Sequence, residues 1–165
     1  MNYFVTIKPF KEFEKVAYYT FQVEGFAETE AEKFFNRFES EADFSEDLDN
    51  LSQWLRRIGE RTGAKPQFFR FEDSAEALPP PAKLLGELLV KDLRLYCVRL
   101  SDEIVILANG GVKTAQKVQD CPDLLPKFRF VRQAAIRITE MITGKEFRFS
   151  CKTIFDLDKL EIELR

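Results

Sequence analysis

The sequence predicts a single α+β domain, an antiparallel sheet with helices packed on one face, and three observations predict it. Apolar residues alternate with period two at both ends and in the middle of the chain, as half-buried strands do. Between them lie stretches with an apolar stripe at helical spacing. No repeat, low-complexity segment or hinge divides the 165 residues. A chain of this length buries roughly 70% of the surface its unfolded form exposes. Its 45% hydrophobic content, with 17 Phe, is enough to fill one core.

In chain order, 3–7 (YFVTI) and 16–24 (VAYYTFQVE) read as strands around a polar turn bounded by Pro9, with Gly25 closing the second. A helix follows over 28–38, with Ala31, Phe34, Phe35 and Phe38 on one face. A second runs over 45–61, where Leu48, Leu51, Leu55 and Ile58 share a face, Asp43 and Glu46 have capping-box spacing and Gly63 is the stop. Residues 67–72 read as a strand, 74–81 as a proline-ended loop and 83–89 as a short apolar turn. Two paired strands then flank Ser101-Asp102, the first with Leu93, Leu95, Cys97 and Val98, the second with Ile104 to Leu107. The helix at 123–143 has Phe128, Val131, Ala135, Ile138 and Ile142 on one stripe, Asp123 as its cap, Pro126 in its first turn and Gly144 after it. Residues 146–155 alternate as a strand, and the tail LDKLEIELR fits either an edge strand or a short helix.

Charge is uneven. Residues 1–82 hold 10 Lys and Arg against 16 Asp and Glu, a net of −6, whereas residues 83–152 hold 13 against 8, a net of +5. Absence of histidine removes the commonest general base, Ser-His-Asp and Cys-His nucleophiles and the usual zinc sites. Cys97, Cys121 and Cys151 lack C-x-x-C spacing and read as reduced thiols, with no metal site. Carboxylate pairs such as Asp47 with Asp49, or Glu161 with Glu163, occur in any acidic protein of this size and point to no glycosidase. No apolar run reaches the ~20 residues needed to span a bilayer. The opening MNYFVTIKPF has no signal-peptide pattern, so a cytoplasmic location is expected and no membrane partner.

What remains is chemistry run by Lys, Arg and Tyr. The hairpin presents Arg94, Tyr96 and Arg99 outward, and the loop after it delivers Lys113, Thr114 and Lys117, a set with no carboxylate between its members. Guanidinium forks match phosphate oxygens and a tyrosine stacks on a base, so an anionic, phosphate-bearing partner is expected.

The stretches Leu93-Arg94-Leu95-Tyr96, Ile104-Val105-Ile106-Leu107 and Val112-Lys113-Thr114 with Lys117 resemble the RelE/ParE superfamily of bacterial toxins, in particular its HigB-like, phage-derived branch. Phe69-Arg70-Phe71-Glu72 and Leu78-Pro79 look like the strand and loop that precede them there. The resemblance covers about residues 28–142 as a toxin-like core. It leaves 1–25 as an N-terminal strand extension and 145–165 as a C-terminal strand and tail, either of which would be able to cover the target-binding groove.

The resemblance implies a type II toxin, a ribosome-dependent mRNA endonuclease working without metal or cofactor, with a cognate antitoxin and the ribosome with its mRNA as partners. Such a reaction needs a base for the 2′-hydroxyl, a cation for the phosphorane-like charge and an acid for the leaving oxygen. Lys113 is the expected base or phosphate ligand, Arg94 the transition-state cation and Tyr96 the stacking or proton-donating group. Arg70, Lys117, Arg99 and Arg129 are expected phosphate contacts. The alternative is a non-catalytic member of the fold, a gyrase inhibitor or a phage or mobile-element accessory protein, since a fold carries no guarantee of chemistry.

Overall fold

The computed structural model describes residues 2–86 and 88–165. The chain opens with β1 (Tyr3–Glu12) and β2 (Ala17–Val23), then α1 (Glu30–Glu39) and α2 (Ser45–Arg57). β3 (Arg70–Glu72), β4 (Ala75–Leu78) and the single turn α3 (Ala82–Leu85) lead to β5 (Leu93–Arg99) and β6 (Ile104–Val112). After α4 (Leu125–Thr143) come β7 (Phe149–Ser150), β8 (Thr153–Ile154) and β9 (Glu161–Leu164). Seven strands form one sheet in the order β3-β4-β5-β6-β2-β1-β9, and β7 pairs with β8 separately. Every neighbouring pair is antiparallel except β2 with β6. The α+β class is as expected.

The helices do not share one face. Phe34, Phe38, Leu51, Trp54 and Leu55 of α1 and α2 pack with Tyr18, Leu93, Leu95, Cys97, Val105 and Leu107. Phe128, Val131, Ala135 and Ile138 of α4 pack with Tyr19, Phe21, Tyr96, Val98, Ile104 and Ile106. Successive side chains of a strand point to opposite faces, so the unbroken run Ile104–Ala108 feeds both cores. A strand with two apolar faces must be covered twice, which is why α4 lies opposite α1 and α2.

Local chemistry explains most element ends. Thr29 accepts from the Glu32 amide and Glu32 accepts from the Thr29 amide, a complete capping box on α1. The Asp43–Glu46 box expected on α2 is not formed: residues 42–44 make a short 3-10 turn whose backbone already carries the chain into the helix, and Phe44 stands at the cap without a side-chain bond. At its far end α2 widens into a π turn over Ile58–Thr62 and stops at Gly63 in positive φ.

The proline-ended stretch 74–81 contains a strand that its composition hides, because Asp73 adopts φ 55° and makes a two-residue turn from β3 into β4. The expected turn at 83–89 includes α3 through Leu85, and its residue 87 lies outside the described residues. The 146–155 strand is instead the small β7–β8 hairpin, and the tail is an edge strand, β9, paired with β1. The terminal additions therefore build the β1–β9 end of the sheet and do not roof the β3–β5 end.

Candidate functional site

A cleft of about 490 Å³ lies at the β3–β5 end of the sheet, on the α4 face. Ladder parity builds its floor. Leu93, Leu95 and Cys97 point into the α1–α2 core, so Arg94 and Tyr96 face α4. Their ladder partners are small, since Tyr96 pairs with Ala77 and Arg94 with Gly111. That leaves room for long polar side chains to lie across the sheet. One wall comes from α4 and its approach, with Leu124, Leu125, Phe128, Arg129 and Arg132, and the other from Glu72 and Asp73. Lys113 and Gln116 enter from the loop after β6.

Arg94, Tyr96, Lys113 and Arg129, four of the seven expected residues, thus meet in one place. Arg94 is only 8% exposed. Its Nη1 donates to the Leu93 carbonyl at 2.8 Å, whereas its buried Nε has no partner among the described residues. Burial, and then the nearby Arg70 charge, shift the guanidinium equilibrium downward, against the pull of Glu72. The Nε itself is sealed from solvent, so what the cleft receives from Arg94 is its positive charge, which favours an anion there because a mostly buried charge is costly unless it is paired.

Tyr96 is fully buried, its ring 5.8 Å from that of Phe128, and its hydroxyl donates to Glu72 Oε2 at 3.3 Å. Burial, followed by the Glu72 charge, raises its pKa, so it keeps its proton at neutral pH and acts as a hydrogen-bond donor. With its ring packed in the core, it offers no face for base stacking. Lys113 is half-buried, and its amide donates to the Asp92 carbonyl at 2.7 Å. Arg129 is exposed on the rim.

The other three expected residues are placed elsewhere. Arg99 donates to the Ala64 carbonyl at 2.6 Å and pairs with Asp102 of the tight β5–β6 turn at 2.7 Å, beyond the cleft. Lys117 is exposed on the loop and does not line the cleft. Arg70 stands close enough to Arg94 to act on its charge, but its guanidinium is spent on the Pro79 and Pro80 carbonyls, at 2.9 and 3.2 Å. It braces the proline loop.

The expectation of a carboxylate-free surface is corrected as well. Glu72 accepts from Tyr96, and Asp73 pairs with Arg132 at 2.6 Å. Glu72 ends β3 and Asp73 opens the turn into β4, so the hairpin sets both beside the cleft. Glu72 gives the cleft a hydrogen-bond acceptor beside its cations. Its signal in the sequence was its spacing of two from Arg70, which puts both on one strand face.

Two further aspartates brace the backbone of β5 and β6 beside the cleft. Asp47, buried in the first turn of α2, accepts from the backbone amides of Lys91, Asp92 and Leu93 at 2.9, 2.8 and 3.1 Å, fixing the entry to β5. Asp123, expected to cap α4, instead accepts from the Val112 amide at 2.8 Å, from Arg37 Nη1 at 2.9 Å and from Lys127 Nζ at 3.0 Å. Burial pushes its carboxyl up, but these donors outweigh burial and hold it at about 2. Among the described residues no group of three or more His, Cys, Asp or Glu is placed to hold a metal ion, and no helix is long and apolar enough to cross a membrane.

Comparison with family models, with curated proteins and with solved structures returns no match.

Proposed function

We propose that the cleft binds the sugar-phosphate backbone of single-stranded RNA and that the protein acts as a toxin of RelE/ParE type, HigB-like, cutting mRNA on the ribosome. The observation that carries this reading is Arg94, a mostly buried cation that lines one cleft together with Lys113, Arg129 and Arg132. In the reaction the RNA 2′-oxygen gives up its proton, attacks the adjacent phosphorus and expels the 5′-oxygen, which takes a proton from water, leaving a 2′,3′-cyclic phosphate and a 5′-hydroxyl. Arg94 stabilises the extra charge on the equatorial oxygens. Lys113 binds the phosphate or, in its neutral form, takes the 2′-proton, Arg129 guides the strand from the rim, and Tyr96 stays un-ionised with its hydroxyl on Glu72. A cognate antitoxin would mask these cations.

The test is to add the purified protein to translating ribosomes and map mRNA 5′ ends. Cuts that disappear in Arg94→Ala and Lys113→Ala support the nuclease. Intact mRNA overturns it.

One observation favours a second reading. Asp73 and Glu72 already engage Arg132 and Tyr96, so the cleft is partly neutralised from within, as suits a non-catalytic binding module such as a gyrase inhibitor or a mobile-element accessory protein. Uncut mRNA together with blocked gyrase would support that reading.

A further inference from the structure

Asp123 has no place in the proposed chemistry, yet more donors converge on it than its position before a helix requires. Its carboxylate occupies the space where a Cβ on Gly111 would stand, so the seat exists only because residue 111 is glycine. Gly111 is the ladder partner of Arg94, and the amide that Asp123 holds belongs to Val112, the residue before Lys113. The carboxylate therefore grips β6 between the two cleft cations, one across the ladder and one next along the chain. From the other side, the Lys113 amide is held by the Asp92 carbonyl.

The grip is anchored at two distant points. Lys127 reaches back from the first turn of α4, and Arg37 reaches from α1, which packs on the opposite face of the sheet. Arg37 donates to both carboxylate oxygens, at 2.9 and 3.0 Å, and lies over the Phe38 ring at 4.5 Å. Neither Arg37 nor Asp123 lines the cleft.

We propose that Asp123 is a positioning residue: with Arg37 it sets the separation of Arg94 and Lys113, and through it helix α1 controls a site on the other side of the sheet. The inference rests on the reading of the cleft as an RNA-backbone site. A positional error near 1 Å at such a site is enough to lower function severely, because fixed donors must match the charge they meet.

The experiment measures binding of a short fluorescein-labelled single-stranded oligoribonucleotide, with thermal unfolding of each variant alongside. Asp123→Asn and Arg37→Gln are each expected to weaken binding about tenfold, within the range for coupled neighbours. Neither is expected to weaken it further when Lys113→Ala is already present, since only a well-placed lysine has anything to lose. Arg37→Lys, which keeps the charge, is expected to restore most of the affinity. Should Asp123→Asn fold poorly, Arg37→Gln in the same cycle replaces it. Losses that multiply with that of Lys113→Ala, or affinity unchanged in both single variants, would overturn the positioning role while leaving the cleft reading intact. No binding by the unsubstituted protein removes the cleft reading itself, and the positioning role with it.

Discussion

Asp73 Oδ2 accepts from Arg132 Nε at 2.6 Å, joining the apex of the β3–β4 turn to α4 by two residues that both line the cleft. The pair is about half exposed, and exposed ion pairs hold only weakly. A phosphate entering the cleft competes with Asp73 for the guanidinium. Asp73→Asn is therefore expected to tighten oligoribonucleotide binding about 2- to 5-fold, the range an exposed pair can withhold. Fluorescence anisotropy at fixed salt checks this, and unchanged affinity would show that Arg132 is not a ligand.

Asp47 concerns stability. Its carboxylate is buried and satisfies three consecutive backbone amides at the start of β5. Asp47→Ala leaves those donors without a partner and is expected to destabilise the fold by about 3 kcal/mol, read from urea denaturation. Asp47→Asn, which retains one acceptor oxygen, should lose less.

Gly110 sits where β5 and β6 slip register, between the Leu95–Gly110 and Cys97–Leu107 pairs. A Cβ there runs into the Arg94 carbonyl. Gly110→Ala must push the strands apart directly behind Arg94, at a cost of about 1–3 kcal/mol. The melting temperature and oligoribonucleotide affinity should fall together. An alanine variant with wild-type affinity would show that the close approach is dispensable.

The Asp123 carboxyl makes a prediction about acid. Its pKa is lower in the folded chain, about 2, than the ordinary aspartate value of 3.8. The unfolded chain therefore binds more protons through this range, and stability rises with pH. The contribution is complete above about pH 4 and is lost as pH falls toward 2. Between those limits the stability of Asp123→Asn should depend less steeply on pH than that of the unsubstituted protein, which circular dichroism across an acid series would register.

Much of the cleft is legible in the sequence. Alternation over 93–98 orients Arg94 and Tyr96 together, and a lysine two residues past Gly111 lands on the same face. The carboxylates were harder to see. Ser74 to Pro81 has the composition of a loop, and β4 carries alanines at 75 and 77, poor strand formers that are useful there because they leave space beneath larger neighbours. Without β4 there is no turn to set Glu72 and Asp73 beside the cleft. The two-sided helix packing had a signal in Ile104–Ala108, a run with no polar alternation. The roles of Asp47 and Asp123 had none, because each acts on backbone amides 11 or more residues away in sequence.

Tyr3 and Leu164 are ladder partners in the β1–β9 pair, whose strands stand five and six positions from β3 in the sheet order. Fusion partners, purification tags or surface tethers can therefore be attached at either end without crowding Arg94.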